Sequence, residues 1–229
     1  MGANMHKPSV IMSVLLTVLI PVAILLLSSN LVLRMPLTYE FYFNDSQTLD
    51  EIDYSITVSD MGSAIGKYLS MPGSEDFQVY ENNGKYKDTV FTTSEQTVMK
   101  KAKGFLFRQL LVVLGLLIVT ILIYANTSRK GLRDLLRHES WIAMGVTVAL
   151  MILQWVLVRH KNFRAMLYGT FIGSKLSKTS TLYIVFGGGK IYSTYLMFST
   201  IAMIALLLLF VYVNYKYTKP DRIFYGRGF

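Results

Sequence analysis

The chain has 229 residues, 52% of them hydrophobic, with a mean hydropathy of +0.41 and a formal net charge of +9. It carries no cysteine, which excludes a disulfide, a thiolate metal site and a cysteine nucleophile. Its four apolar runs of about twenty residues each match what a bilayer core about 30 Å thick requires of a crossing helix, so a soluble protein of ordinary design is excluded as well.

The first run covers residues 10–33. Lys7 precedes it and Arg34 follows directly, with no A-x-A site between them. At about 24 residues it exceeds the usual h-region of a cleaved signal peptide, so 1–33 is expected to be an N-terminal tail and an uncleaved signal anchor. The polar block 34–104 is the longest in the chain and lies near the lower size limit for independent folding, so it should lean on the helices or the membrane surface. Within it, Thr38-Tyr-Glu-Phe-Tyr-Phe43 alternates partly and reads as a strand, broken by Asn44-Asp45-Ser46. Ser59 is a candidate cap for a helix through about Leu69, with Met61, Ile65, Tyr68 and Leu69 at helical spacing, and Pro72-Gly73 ends it. Residues 77–80 and 86–91 flank Asn82-Asn83-Gly84, a hairpin signal, since Asn and Gly tolerate the positive φ of tight turns. The expectation is a small extracytoplasmic α+β cap. Such a domain without cysteine suits a bacterial envelope better than an endoplasmic reticulum lumen.

Thr93-Ser94-Glu95-Gln96 fits a capping box with Thr93 as cap and Gln96 at the third helical position. No Pro or Gly follows before Gly104, so this helix should run from the cap into the second span, 105–125. Arg108 lies about one turn inside that span, where it either snorkels to the headgroups or holds a lipid phosphate or a developing anion. A basic cytoplasmic loop, 126–140, leads to the third span, 141–158. Gln154, near the outer end of this span, suits an interhelical hydrogen bond. The stretch 159–194 is interfacial or re-entrant: Phe163, Met166, Leu167, Thr170 and Phe171 can form one apolar face with Arg164 opposite. Gly169 and Gly173 have the spacing of close helix packing, and 182–186 is a short apolar run closed by Gly187-Gly188-Gly189. That triplet is no phosphate loop, because Lys190 is followed by Ile191. The fourth span, 195–215, and a basic cytoplasmic tail, 216–229, complete a membrane α-helical fold: a four-transmembrane-helix bundle with the cap outside it.

Basic residues set the expected orientation. Lys7, Arg129, Lys130, Arg133, Arg137, Lys216, Lys219, Arg222 and Arg227 share one side of a four-span chain. Arg159, Lys161, Arg164, Lys175, Lys178 and Lys190 share the other. Nine against six puts both termini in the cytoplasm. The block 34–104 has eleven acids against seven bases, so the basic excess lies beside the membrane, where contact with anionic lipid accounts for it better than nucleic acid does.

Little in the chain resembles a familiar catalytic constellation. Three dispersed histidines make no metal-ligand spacing, and no serine sits in a G-x-S-x-G context. His6 and His138 fall on the cytoplasmic side. His160 follows the third span at the outer interface, where it serves either as a general base or simply as an interfacial polar residue among basic ones.

The order of these parts resembles the bacterial lipoprotein intramolecular transacylase family, over nearly the whole chain. Residues 56–69 are similar to the family's outer helix with its Tyr-Leu ending, here Tyr68-Leu69. Residues 91–103 resemble its segment of Phe, acid, His-Met and a final Lys, and 181–186 its apolar strand before the last span. The resemblance implies transfer of an acyl chain from the glyceryl group of a lipoprotein to its N-terminal amine. That chemistry needs a base, oxyanion donors and a groove for acyl chains. Two departures mark a divergent member: Val98-Met99 stands in place of His-Met, and 162–193 contains no histidine. The catalytic role then falls to His160, if the outer loop folds back over the cap helix, with Arg108, Arg164 and Tyr168 as substrate-binding residues. The alternative is a non-catalytic membrane protein on the same scaffold that binds a lipid or protein partner. Membrane phospholipid or lipoprotein is the expected partner, with no cofactor, no metal and no nucleic acid. No intramembrane acid marks an ion path, which argues against a transporter subunit.

Overall fold

The computed structural model describes residues 7–52, 55–73, 76–81, 89–171, 177, 179–187 and 189–219. In chain order the described helices are α1 (Lys7–Val32), α2 (Pro36–Ser46), α3 (Val58–Ser70), α4 (Thr93–Arg129), α5 (Arg133–Arg159), α6 (Lys161–Phe171), α7 (Thr181–Gly187) and α8 (Gly189–Thr218), with a 3-10 turn at Thr48–Glu51. Helices α1, α4, α5 and α8 are long and apolar enough to cross a membrane. Their outward faces carry Leu111, Ile121 and Leu122 on α4, Ile152 on α5 and Leu208 on α8, all exposed. Faces of that kind are stable against lipid tails and unstable in water.

Helix α1 packs against α4, α5 and α8 and is the most enclosed of the four. Its Leu16, Ile20 and Ile24 meet Ile123, Leu136, Ala143, Met151 and Met203. Polar side chains join the helices as well. Gln154 donates to the Tyr195 hydroxyl (3.2 Å) and to Ser199 Oγ (3.0 Å), and Tyr195 is 2.7 Å from Ser29 Oγ. One amide thus ties α5 to α8, and through Tyr195 to α1, as the interhelical reading of Gln154 anticipates. Asn30 on α1 donates to the Leu106 carbonyl of α4 at 2.8 Å.

The 37 residues of α4 span about 55 Å at 1.5 Å per residue, well beyond a bilayer core of about 30 Å. The excess stands in the cap, so cap and bundle share one continuous rod.

The cap departs from its expected α+β character. Residues 38–43 are helical, within α2, and not a strand. Pro36 occupies the first turn, where its fixed φ favours a helix start, and Gln47 ends the helix in the left-handed region at φ 55°. The alternation of Tyr39, Phe41 and Phe43 comes from aromatic residues on two helix faces: Tyr39 and Phe43 are buried in the cap, while Phe41 meets Phe198 of α8 edge-on at 5.7 Å. Of the expected hairpin, an isolated bridge between Tyr80 and Thr89 forms, with Val90 N–H donating to the Val79 carbonyl. The turn at 82–84 lies outside the described residues. The apolar run 182–186 is also helical rather than extended. Ser180 Oγ accepts from Tyr183 N–H, and Leu182 and Val185, one helical step apart, are fully buried.

Helix α3 is capped two residues earlier than expected, by Thr57, whose side chain accepts from Asp60 N–H. Its Met61, Ile65, Tyr68 and Leu69 do face the core. It crosses α2 closely at Gly62 and Gly66. A Cβ on Gly66 would come within 2.6 Å of the Pro36 backbone nitrogen, so only glycine permits this approach. By contrast Gly169, one half of the small-residue pair expected to pack, has open space around it, and Gly173 lies outside the described residues.

Candidate functional site

The start of α4 organises the junction between cap and bundle. Thr92, one residue ahead of the expected cap, accepts from Glu95 N–H, and Glu95 answers by accepting from Thr92 N–H at 2.7 Å. This reciprocal pair satisfies donors that the first helical turn leaves open. Glu95 is 1% exposed, and its other carboxylate oxygen accepts from Leu182 N–H of α7 at 2.8 Å. One acid therefore caps the long helix and fastens α7 to it across 87 residues of sequence.

Glu95, Met99, Lys103 and Leu106 follow at helical spacing along the buried face of α4. The Lys103 ammonium, on a residue only 6% exposed, lies 4.3 Å from the centre of the Tyr68 ring of α3. One turn further on, the Arg34 guanidinium lies 4.2 Å from the centre of the Phe107 ring. Arg34 belongs to the short joint between α1 and α2, and its carbonyl accepts from Ser70 Oγ at 3.1 Å, at the end of α3. Three elements, α3, α4 and the joint between α1 and α2, thus meet along one face of α4, each cation over an aromatic ring.

Along this face the Nε and Nη2 of Arg34 and the Tyr68 hydroxyl are buried with no hydrogen-bond partner among the described residues. Burial lowers the pKa of Arg34. Burial, and secondarily the nearby negative Asp76, raises that of Tyr68. Buried donors without acceptors are costly, roughly 1–3 kcal/mol each, and an anion or an oxyanion offers what they lack. Deeper in the cap, burial also raises the Tyr39 phenol, which donates to the Leu33 carbonyl at 2.6 Å.

The residues singled out in the sequence lie elsewhere. His160 is exposed at the C-cap of α5, where its backbone N–H bonds the Leu157 carbonyl. Arg108 is exposed and donates to the Gly104 carbonyl of its own helix at 3.3 Å. Arg164 lies on α6, its guanidinium 5.9 Å from the centre of the Tyr192 ring. Tyr168 is also on α6, its side chain outside the described residues. Among the described residues no hydrogen bond, ion pair or ring contact joins these positions to one another. Helix α6 does pack against both α4 and α5. Val98, standing where the resembled family has histidine, packs against the cap core.

Arg34, Tyr68 and Lys103 are faint in the sequence. Arg34 reads there as the charge that ends the first span, and Tyr68 as one more residue on a helix face. Lys103 has the clearest signal, a basic residue four positions after Met99 on the face that also carries Glu95.

No protein-family profile matches this chain, and no curated protein matches it in sequence. Among solved structures its fold is similar to that of the membrane-integral lipoprotein intramolecular transacylase Lit from Bacillus cereus, determined in meso with a histidine-to-alanine mutation. The two share a TM-score of 0.62 and 13% identity, over 92% of this chain and 91% of the other. The likeness is one of fold, and it includes cap and spans together.

Proposed function

We propose that this chain is a membrane protein that receives acylated lipoproteins at its cap side and moves an acyl chain from the glyceryl group to the N-terminal amine. The observation that carries this reading is the end-to-end likeness to a lipoprotein transacylase, which embraces more than nine-tenths of both chains. In the reaction the amine nitrogen attacks the ester carbonyl and the carbon–oxygen bond to the glyceryl group breaks. An amide forms, and the amine proton passes to the glyceryl oxygen. Negative charge gathers on the carbonyl oxygen as the tetrahedral intermediate forms, and fixed donors lower the energy of that state. The Arg34 and Tyr68 donors without partners among the described residues, with the Lys103 ammonium over the Tyr68 ring, are suited to that task. His160 is the base in this reading, with Arg108, Arg164 and Tyr168 of the neighbouring elements contacting the substrate.

The second reading is binding of a lipid or lipoprotein without transfer. Two observations favour it: Val98 cannot move a proton, and the His160 imidazole stands exposed with no hydrogen-bond partner among the described residues. Mass spectrometry of lipoprotein N-termini separates the two. Expressed in a host lacking its own transacylase, an active chain converts the diacylglyceryl form to the lyso form, and His160→Ala stops the conversion. Unchanged N-termini with the protein properly inserted would sink the transfer reading and leave binding.

A further inference from the structure

At the end of the bundle remote from the cap, a cavity of about 330 Å³ opens between α5 and α8. Arg137 and Lys219 line it, together with Trp141, Met144 and Asn214. We propose that this cavity seats the phosphodiester headgroup of an anionic phospholipid between Arg137, Lys219 and the side-chain amide of Asn214.

Asn214 gives the site its built character. It is 5% exposed, and its side-chain oxygen accepts from the Tyr124 hydroxyl at 2.6 Å and from Ser140 Oγ at 3.0 Å. The amide nitrogen is left with two donors and no partner among the described residues, on a side chain that lines the cavity. Arg137 likewise has no hydrogen-bond or ion-pair partner among them. Lys219 lies over the Tyr215 ring at 5.9 Å, so its ammonium keeps its hydrogen-bond donors for another group.

Three further observations point to a lipid as the occupant. Along α5 the residues facing the seam continue apolar from Trp141 and Met144 through Val148, Met151 and Trp155, at alternating steps of three and four. A second cavity of about 370 Å³ opens along the same stretch. An acyl chain fits that course beneath a headgroup held at Arg137. Trp141 and Tyr215 are 63% and 61% exposed, as aromatic residues are at headgroup depth. Residues 129–140 and 211–219 together hold six bases and two acids, which selects a lipid of net negative charge over a zwitterionic one.

The test is lipid retention by the full-length protein, measured by native mass spectrometry from detergent with phosphatidylglycerol or phosphatidylcholine of identical acyl chains. Phosphatidylglycerol is expected to be retained preferentially. Arg137→Gln and Lys219→Gln should each weaken its binding about fivefold and leave phosphatidylcholine unchanged. Asn214→Asp keeps the acceptor for Tyr124 and Ser140 but removes the donors and adds a negative charge; it should weaken phosphatidylglycerol at least as much. If Asn214→Asp lowers the melting temperature in lipid-free detergent, the two cation variants decide alone. Equal retention of the two lipids, or phosphatidylglycerol binding insensitive to both cation variants, overturns the proposal. So does displacement by inorganic phosphate at the concentration of the lipid, which would make this a site for soluble phosphate. Because these readouts ignore lipoprotein N-termini, they stand or fall separately from the acyl-transfer reading.

Discussion

At the centre of the cap the buried side chains are Tyr42, Phe43, Phe77 and Phe91, each 1% exposed, with Phe77 and Phe91 rings 4.8 Å apart. At the centre of the bundle they are Leu16, Leu136, Ala143 and Met203, interrupted by Ser28, Asn30, Thr147 and Ser199. The difference follows from the solvent. Water drives large apolar surfaces together, so a small domain beside it gains most from aromatic residues. Lipid offers an apolar helix no such drive, and close packing with hydrogen bonds between helices decides which faces meet. Among the described residues such bonds include a cluster around Gln154 and Tyr195 near the cap, Asn30 to α4, and a cluster around Asn214 at the far end.

That contrast is open to direct attack, beginning in the cap. Phe91→Ala removes a fully buried ring and should cost the cap roughly 3–5 kcal/mol. In a urea titration in detergent, protease cleavage within 34–91 is expected to begin at much lower urea, while the helical circular dichroism of the bundle holds. Simultaneous loss of both would mean that the two cores melt as one.

A smaller effect is expected where the regions join. Glu95→Gln replaces one acceptor oxygen by an amide nitrogen, leaving one of its partners unmet at a cost of about 1–3 kcal/mol. Amide exchange at Leu182 should then quicken by about tenfold or more. Exchange as slow as in the parent chain would show that burial of Leu182 and Val185 alone holds α7 in place.

Within the bundle the expected effect is smallest. Gln154→Leu deletes the donor to Tyr195 and Ser199 and should cost about 1 kcal/mol, at about 0.6 kcal/mol per bond in membrane proteins. A loss several times larger, seen as a drop in melting temperature in detergent, would place the polar pairs on a par with the aromatic core and break the contrast.

The spans were legible because their signal is local. Twenty consecutive apolar residues need no knowledge of the rest of the chain. Helix α3 was legible through its periodicity, and α4 through its capping signal, within a residue or two at the N-terminus. Residues 38–43 are misread as a strand because six residues with aromatic groups on two faces satisfy a period of 2 as readily as one of 3.6, and 182–186 reads as a strand only through the family resemblance. Only the neighbours settle the matter: Phe198 beside Phe41, and Glu95 at the start of α7. Gly62 and Gly66 passed unnoticed because their role depends on Pro36 and Glu40, more than twenty residues earlier.

The candidate site shows the same division. Residue type and position in the chain picked out His160, Arg108, Arg164 and Tyr168, and three-dimensional packing set Lys103 over Tyr68 and Arg34 over Phe107 instead. By itself the sequence determined that the chain is membrane-embedded and helical, that it has four apolar runs, and that one helix passes from cap to bundle. These rest on length, hydropathy and capping, which act within a turn or within a single run. Tertiary structure alone decided that the cap is helical, that one carboxylate joins α4 to α7, and that Lys103 and Arg34 each lie over an aromatic ring. Those outcomes depend on burial, and burial is a property of whichever distant residues happen to close over a side chain.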